Sequence, residues 1–238
     1  MKKIKVLLLT LLTISMSCSS DDDSSSPNMP RLVEVTELIT QNGQLTDFGP
    51  QTSVVYQYNS NGFISSMTSS SGNTTTFSYN TNNQLTSETF SNTNGDSYQI
   101  TYTYENGVIT KEEYSNGDYV EFVYDGDELV QQFYFYTNSD NNGSITLTND
   151  TNGNVITITR DADATVLETY EYDSKINPFY TLYPEAYCKI KRISPNNMTF
   201  RTQGNRQISY EYNSFNLPIQ SFYLDSGAFR KDTNYIYN

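Results

Sequence analysis

Val54-Val55-Tyr56-Gln57-Tyr58-Asn59-Ser60-Asn61-Gly62-Phe63-Ile64 decides the fold of this 238-residue chain. Side chains alternate across a strand with period two, so Val54, Tyr56 and Tyr58 share one face. Asn59 to Gly62 then break the strand. Asn tolerates the left-handed region and bonds its own backbone, and Gly enters positive φ freely. Ile64 opens the return strand. Much the same phrase recurs every 20 to 25 residues, apart from one wider gap.

The second copy places Thr75, Phe77 and Tyr79 before Asn80-Thr81-Asn82-Asn83 and Leu85, and the third places Ile100, Tyr102 and Tyr104 before Asn106-Gly107 and Ile109. Val120, Phe122 and Tyr124 precede Asp125-Gly126-Asp127 and Leu129 in the fourth. The fifth loses its aromatics, with Ile145, Leu147 and Asn149 before Asp150-Thr151-Asn152-Gly153 and Val155. The sixth has Glu168, Tyr170 and Tyr172 before Asp173-Ser174-Lys175, and the seventh has Ile208, Tyr210 and Tyr212 before Asn213-Ser214-Phe215-Asn216 and Leu217. Tyr235-Ile236-Tyr237-Asn238 is a copy cut off at its turn.

Between the phrases lie opposite turns: Ser71-Gly72-Asn73, Thr93-Asn94-Gly95-Asp96, Ser115-Asn116-Gly117-Asp118, Asp140-Asn141-Asn142-Gly143 and Asp225-Ser226-Gly227. A further hairpin turn, Gln41-Asn42-Gly43-Gln44, follows a first strand over Leu32 to Ile39. One repeat is therefore one up-and-down pair of strands. The expectation is an all-β fold: an antiparallel meander of roughly 16 strands, forming a curled sheet or a soluble barrel, with little helix after the N-terminal segment. An open meander leaves two edges to protect, and roughly 16 strands is many for an open twisted sheet.

This phrase resembles the YD repeat of Rhs-type proteins, whose long arrays form a spiralling β-sheet shell around a toxic payload. The array here is too short to enclose a protein, so encapsulation is not implied. Tyr170-Glu171-Tyr172-Asp173-Ser174-Lys175-Ile176-Asn177-Pro178-Phe179 is also similar to small Bacteroidota lipoproteins of unknown function grouped as having a porin-like fold. That resemblance implies a barrel-like or strongly curled sheet and no activity.

Composition agrees with strands: 21 Tyr and 12 Phe stand beside no Trp and no His. The formal charge is −13, and removing Lys2, Lys3 and Lys5 leaves 11 basic residues against 27 acidic ones. Such a field repels phosphate backbones, so no nucleic-acid partner is expected. Two cysteines, Cys18 and Cys188, cannot make a disulfide framework, and Cys188 is expected as a free, partly buried thiol.

The N-terminus is an address. Met1 to Lys5 is basic, Val6 to Ile14 is apolar and too short for a comfortable membrane span, and Ser17-Cys18 follows within a few residues. Residues 1–17 resemble a bacterial lipoprotein signal peptide, with Cys18 the acylated first residue. The tract Ser19-Ser20-Asp21-Asp22-Asp23-Ser24-Ser25-Ser26-Pro27 resembles the acidic export signal of surface lipoproteins in Bacteroidota. The organisation expected is a signal peptide (1–17), an acidic, Ser-rich tether (18–31) and one β-repeat domain (32–238). The resemblance implies a lipid anchor in the outer membrane and exposure at the cell surface. The face opposite the tyrosines carries Gln57, Thr101, Thr103, Glu121, Glu171, Ser209 and Glu211. It lacks the apolar band of a membrane-inserted barrel, so the Tyr/Phe face is expected inside.

The repeat spacing breaks once, between Tyr172 and Tyr212, with an insert at about 176–198. It carries Tyr180, Tyr183, Tyr187, Lys189, Lys191 and Arg192, and Arg201 and Arg206 follow. Either these aromatic and cationic groups recognise an acidic glycan or an envelope partner, or the insert plugs the barrel or covers a sheet edge. Ser139 to Gly143 and Asp161-Ala162-Asp163 are Asp-rich without the ligand pattern of a calcium loop, so ordinary turns explain them and no metal or other cofactor is expected. Without His, the commonest general base is missing. Glu and Asp on strands are expected on a solvated face, and no pair stands out by spacing as the acids of a hydrolase. The sequence thus favours a non-enzymatic binding or interaction module. A structural envelope component without a small ligand is the alternative, and a carboxylate-based hydrolase is the remote one.

Overall fold

The computed structural model describes residues 29–41, 44–45, 52–138, 142–225 and 229–238. The expected signal peptide, Cys18, most of the expected tether, and the centres of the turns near 42, 140 and 227 lie outside the described residues. The strands are β1 (Leu32–Gln41), β2 (Gln44–Leu45), β3 (Thr52–Tyr58), β4 (Ile64–Ser69), β5 (Thr74–Tyr79) and β6 (Leu85–Ser91). Then come β7 (Ser97–Glu105), β8 (Val108–Tyr114), β9 (Tyr119–Asp125), β10 (Glu128–Phe135), β11 (Gly143–Asn149), β12 (Val155–Arg160) and β13 (Thr165–Ile176). After a helix α1 (Glu185–Lys191) the chain finishes with β14 (Asn196–Arg201), β15 (Arg206–Tyr212), β16 (Pro218–Asp225) and β17 (Phe229–Tyr237).

Every strand from β3 onward pairs antiparallel with its sequence neighbour, and β1 pairs with both β3 and β17. The meander therefore closes, with β1 and β3 to β17 forming a ring of 16 strands and β2 a two-residue spur on β1. Val35 lies opposite Tyr235 and Val54, so the first strand is the seam between the chain's two ends. Closure removes both sheet edges.

The phrase sets the register. Tyr56, Phe77, Tyr102, Phe122 and Leu147 are buried in the interior, while Gln57, Thr101, Thr103, Glu121, Glu171, Ser209 and Glu211 are exposed outside. At the turn, the side-chain oxygen of Asn59 accepts from the N–H groups of Asn61 (3.0 Å) and Phe63 (3.1 Å). Asn80, Asp150 and Asn213 repeat that pair of bonds. Gly62 at φ +88° and Asn83 at φ 61° occupy the left-handed position that each loop requires.

The last aromatic of each phrase ties neighbouring repeats together. The Tyr79 hydroxyl donates to the Ile64 carbonyl (2.7 Å), Tyr124 to Ile109 (2.8 Å), Tyr172 to Val155 (2.7 Å) and Tyr237 to Pro218 (2.8 Å). Tyr58 makes the same bond to Leu32 across the seam. In the aromatic-poor fifth copy, the Asn149 amide donates to Leu129 O (3.1 Å) in the same place. Tyr104 holds the equivalent position, its hydroxyl by the Leu85 backbone but without a well-formed hydrogen bond.

Each return strand begins with a β-bulge. Tyr79 faces Leu85 but Ser78 faces Ser87, and the same skip follows Ile64, Ile109, Leu129, Val155 and Pro218. The extra residue shifts the alternation, so residues i and i+3 both point inward. Leu85 and Glu88 share the interior, as do Ile109 and Glu112, and Leu129 and Gln132. Strict period two would place both acids outside. The expectation of a solvated face fails at Glu88 and Glu112 for that reason.

A ring of 16 strands is wide enough to leave an aqueous channel in a porin. Here the insert enters the lumen. A 3-10 turn, Pro178–Thr181, and α1 form its body, among a fold otherwise of strands. No helix of the described residues is long and apolar enough to cross a membrane.

Candidate functional site

The insert begins where β13 runs past its turn. Asn177 caps the 3-10 turn by accepting from the Phe179 N–H (3.0 Å). Pro184 precedes α1, Glu185 stands in its first turn, and Lys189 and Lys191 in its last, as the helix dipole favours. Arg192 ends it at φ 57°, ψ 35°. At seven residues this helix is short, and lumen contacts support it.

Those contacts cross the barrel. Phe179 meets the ring of Tyr235 on β17 at 6.1 Å, and the Leu182 carbonyl accepts from Ile64 N–H on β4 (3.0 Å). Tyr183 packs edge-on to Phe77 of β5 (5.5 Å) and Tyr187 to Tyr102 of β7 (5.7 Å). The Gln132 amide of β10 donates to Ile190 O (3.0 Å), and the Val155 N–H of β12 to Ser194 Oγ (3.3 Å). The insert is therefore a plug anchored on opposite walls, and not an outer flap over an edge.

At its centre is a buried ionic cluster. Lys191 Nζ donates to Glu112 Oε2 (2.7 Å) and lies 3.6 Å from Glu88 Oε1. Glu88 also accepts the hydroxyls of Tyr102 (2.7 Å) and Tyr187 (3.0 Å), and Glu112 that of Tyr114 (2.7 Å). Burial, then the charge of neighbouring Tyr187 and Glu88, pushes the Tyr102 phenol far up. Tyr187 is raised by burial, then Glu88 and Tyr183. These phenols are donors and not acids at neutral pH. Both carboxylates are committed to tyrosine hydroxyls and to one ammonium.

The remaining insert residues divide. The rings of Tyr183 and Tyr187 meet at 4.7 Å, tilted by 35°, inside the lumen, whereas Tyr180, half-buried, has its phenol raised to about 12 by burial and then by Glu185 and Cys188. Lys189 pairs with Glu185 along the helix (2.7 Å). Arg192 is exposed. Cys188 is free and fully buried, its thiol against Tyr180 O and pushed up to about 12 by burial and then by Glu185. Asp161 accepts from Gln131 and Thr146, and Asp163 pairs with Arg160, so both serve the local turn. Among the described residues no group of three or more Cys, Asp or Glu is placed to hold a metal.

Glu88, Glu112 and Gln132 are the site residues that reading the sequence missed. Their signal is the i, i+3 spacing from Leu85, Ile109 and Leu129, visible only once the bulge is recognised.

Two cavities flank the plug's last segment. One, of about 450 Å³, is lined by Asp125, Asp127, Glu128, Asp150 and Glu185 together with Lys189 and Arg192. The other, of about 440 Å³, is lined by Tyr170, Tyr172, Phe179 and Tyr183 with Lys191, Arg192 and Arg201.

A family model described as the RHS repeat matches residues 58–94, which hold the first two Tyr-Asn turns. The fold is similar to the crystal structure of a porin-like protein from Bacteroides uniformis ATCC 8492, at 15% identity and TM-score 0.56, covering 87% of this chain and 96% of that one. The crystal structure of TcdB2-TccC3 is aligned at 16% identity and TM-score 0.37, over 82% of this chain and 11% of that one. The Photorhabdus luminescens Tc holotoxin pore gives 16% and 0.37, over 86% and 11%. No curated protein matches the sequence.

Proposed function

We propose that this chain is a lipoprotein held in the outer membrane through Cys18 and displayed at the cell surface, where its plugged barrel acts as a non-enzymatic binding module for a glycan, peptide or envelope partner. The leader and the Ser/Asp tract behind Cys18 support the anchor, and the likeness to a porin-like protein fits a cell-envelope setting. The outer wall supports tethering over immersion: Gln57, Thr103, Glu121 and Glu211 face outward where a membrane barrel needs an apolar band.

The observation that carries the binding reading is the convergence of insert and wall. A rigid, hydrogen-bonded plug leaves two cavities beside it and keeps Tyr180 and Arg192 within reach of solvent. Preorganised concave sites with a few placed polar groups are where ligands bind. One observation favours the structural alternative: Tyr183, Tyr187 and Lys191 are consumed by internal contacts. Capture from envelope fractions and polysaccharides on the immobilised protein separates the two. Binding that falls on Tyr180→Ala or Arg192→Ala supports the module. Binding unchanged by both, with proteins alone recovered, supports a structural component. Metabolic labelling with a fatty acid, lost in Cys18→Ala, tests the anchor.

A further inference from the structure

The two cavities beside the plug are nearly equal in size and opposite in charge. They share Val155, Arg192, Ile193 and Ser194, so the segment after α1 is the partition between them. Five carboxylates line the first. No carboxylate lines the second, although the chain carries 27 acidic residues against 14 basic ones and three of those basic side chains, Lys191, Arg192 and Arg201, stand in its wall. Lys191 is already held by Glu112 and Glu88, which leaves Arg192 and Arg201 as the cations of this wall least matched by carboxylates. Glu168 approaches Arg201 at 3.9 Å, its Oε2 is occupied by the Tyr170 hydroxyl (2.7 Å), and the Nε donor of Arg201 and Oε1 of Glu168 make no hydrogen bond. Two guanidinium-bearing side chains in one wall, Arg201 paired only at 3.9 Å and Arg192 exposed, suit an oxyanion, which a guanidinium grips bidentately.

The rest of the wall specifies the body that carries the charge. Tyr170, Tyr172, Tyr183 and Phe179 line the same space, aromatic surface of the kind on which pyranose rings pack. A volume of about 440 Å³ admits one or two such rings. We infer that this cavity binds a carboxylated saccharide of one or two rings, its carboxylate held between Arg192 and Arg201 and its sugar ring against the tyrosines. This inference deepens the binding-module reading and rests on it.

Calorimetry on the full chain in detergent tests it, using galacturonic and glucuronic acid disaccharides, their neutral methyl esters and inorganic sulfate as probes. The acidic disaccharides should bind saturably, more weakly as salt rises, and the esters about tenfold more weakly or worse. Arg192→Gln, at an exposed position, should fold with unchanged circular dichroism and lose about tenfold in affinity. Arg201→Gln should lose as much, and Lys189→Gln, in the acidic cavity only, should lose nothing. No uronate binding, equal binding of acid and ester, or indifference to Arg192→Gln would overturn the inference. Sulfate binding as tightly as the disaccharides would overturn the saccharide assignment. Loss of uronate binding with an envelope partner still captured defeats this inference alone, whereas loss of both defeats the binding module as well.

Discussion

The tyrosine hydroxyls give the repeat its most testable residues. Tyr124 donates to Ile109 O and fills the gap between repeats, so Tyr124→Phe should cost about 1 kcal/mol in urea unfolding. Tyr104 holds the same place with only a poorer contact to the Leu85 backbone, and Tyr104→Phe should cost less. A position-independent effect of the two substitutions would contradict the clamp. The turn heads allow a parallel comparison. Asn59→Ala removes the acceptor of two N–H groups and should cost about 1 kcal/mol, while Asn59→Asp should be tolerated because Asp150 performs the same task. Both patterns were legible in the sequence, since Asn, Asp and Gly advertise their turn chemistry and Tyr-x-Tyr its face. What the hydroxyl bonded to was not, because its acceptor belongs to the preceding repeat.

At the scale of elements, the plug and the bulges are the features that spacing alone left open. Fourteen of the barrel's neighbouring pairs follow sequence order from β3 to β17 and could be read from a meander. The insert could be recognised by its length and its Pro, Tyr and Lys content, yet plug, edge cover and recognition loop all fit those facts. Its place was decided by Glu88 and Glu112, and a one-residue bulge turns both inward. Lys191 is the only cation paired to them in the lumen among the described contacts, with 23% of its side chain exposed against 12% for Glu88 and 7% for Glu112. Lys191→Met strands two buried carboxylates and should destabilise the protein by about 3 kcal/mol. In the double variant with Glu112→Gln the loss should be smaller than the sum of the single losses, because the two residues interact directly. Strict additivity in thermal or urea unfolding would place Lys191 outside the cluster.

For the whole molecule, the interior tyrosines and the turn carboxylates set opposite limits of pH. Burial first, then neighbouring phenols and carboxylates, raises the phenols of Tyr102, Tyr183, Tyr187 and Tyr210. The unfolded chain releases those protons near pH 10 and the folded one holds them, so stability is intact below about pH 10 and falls as pH rises beyond it. On the acid side, burial acts to raise Asp150, but hydrogen bonds from the side chain and N–H of Asn154 and the N–H of Asn152 outweigh it, and its carboxyl titrates below the usual range. Asp163 is lowered by its bonds from Thr165. Their contribution is complete above about pH 4 and lost as pH falls through the folded values. Urea unfolding across pH should therefore show a plateau bounded near these values, and the tyrosinate absorbance of the interior rings should appear together with unfolding. Gradual ionisation of those rings in the folded protein would contradict their burial.

Closure is where the fold went beyond what the sequence could establish, since a curled open sheet and a ring share every local signal. It depends on β1 reaching β17, where Glu34 faces Ile236 on the outer wall. The most direct measurement is oxidation of the Glu34→Cys, Ile236→Cys variant in a chain beginning after Cys18, with Cys188 shielded by its burial. Adjacent antiparallel positions lie within disulfide reach, so a closed barrel should form one intramolecular bridge joining the first and last strands, at a rate independent of protein concentration. Thiols that stay reduced, or bridges that form only between molecules, would contradict the closed ring.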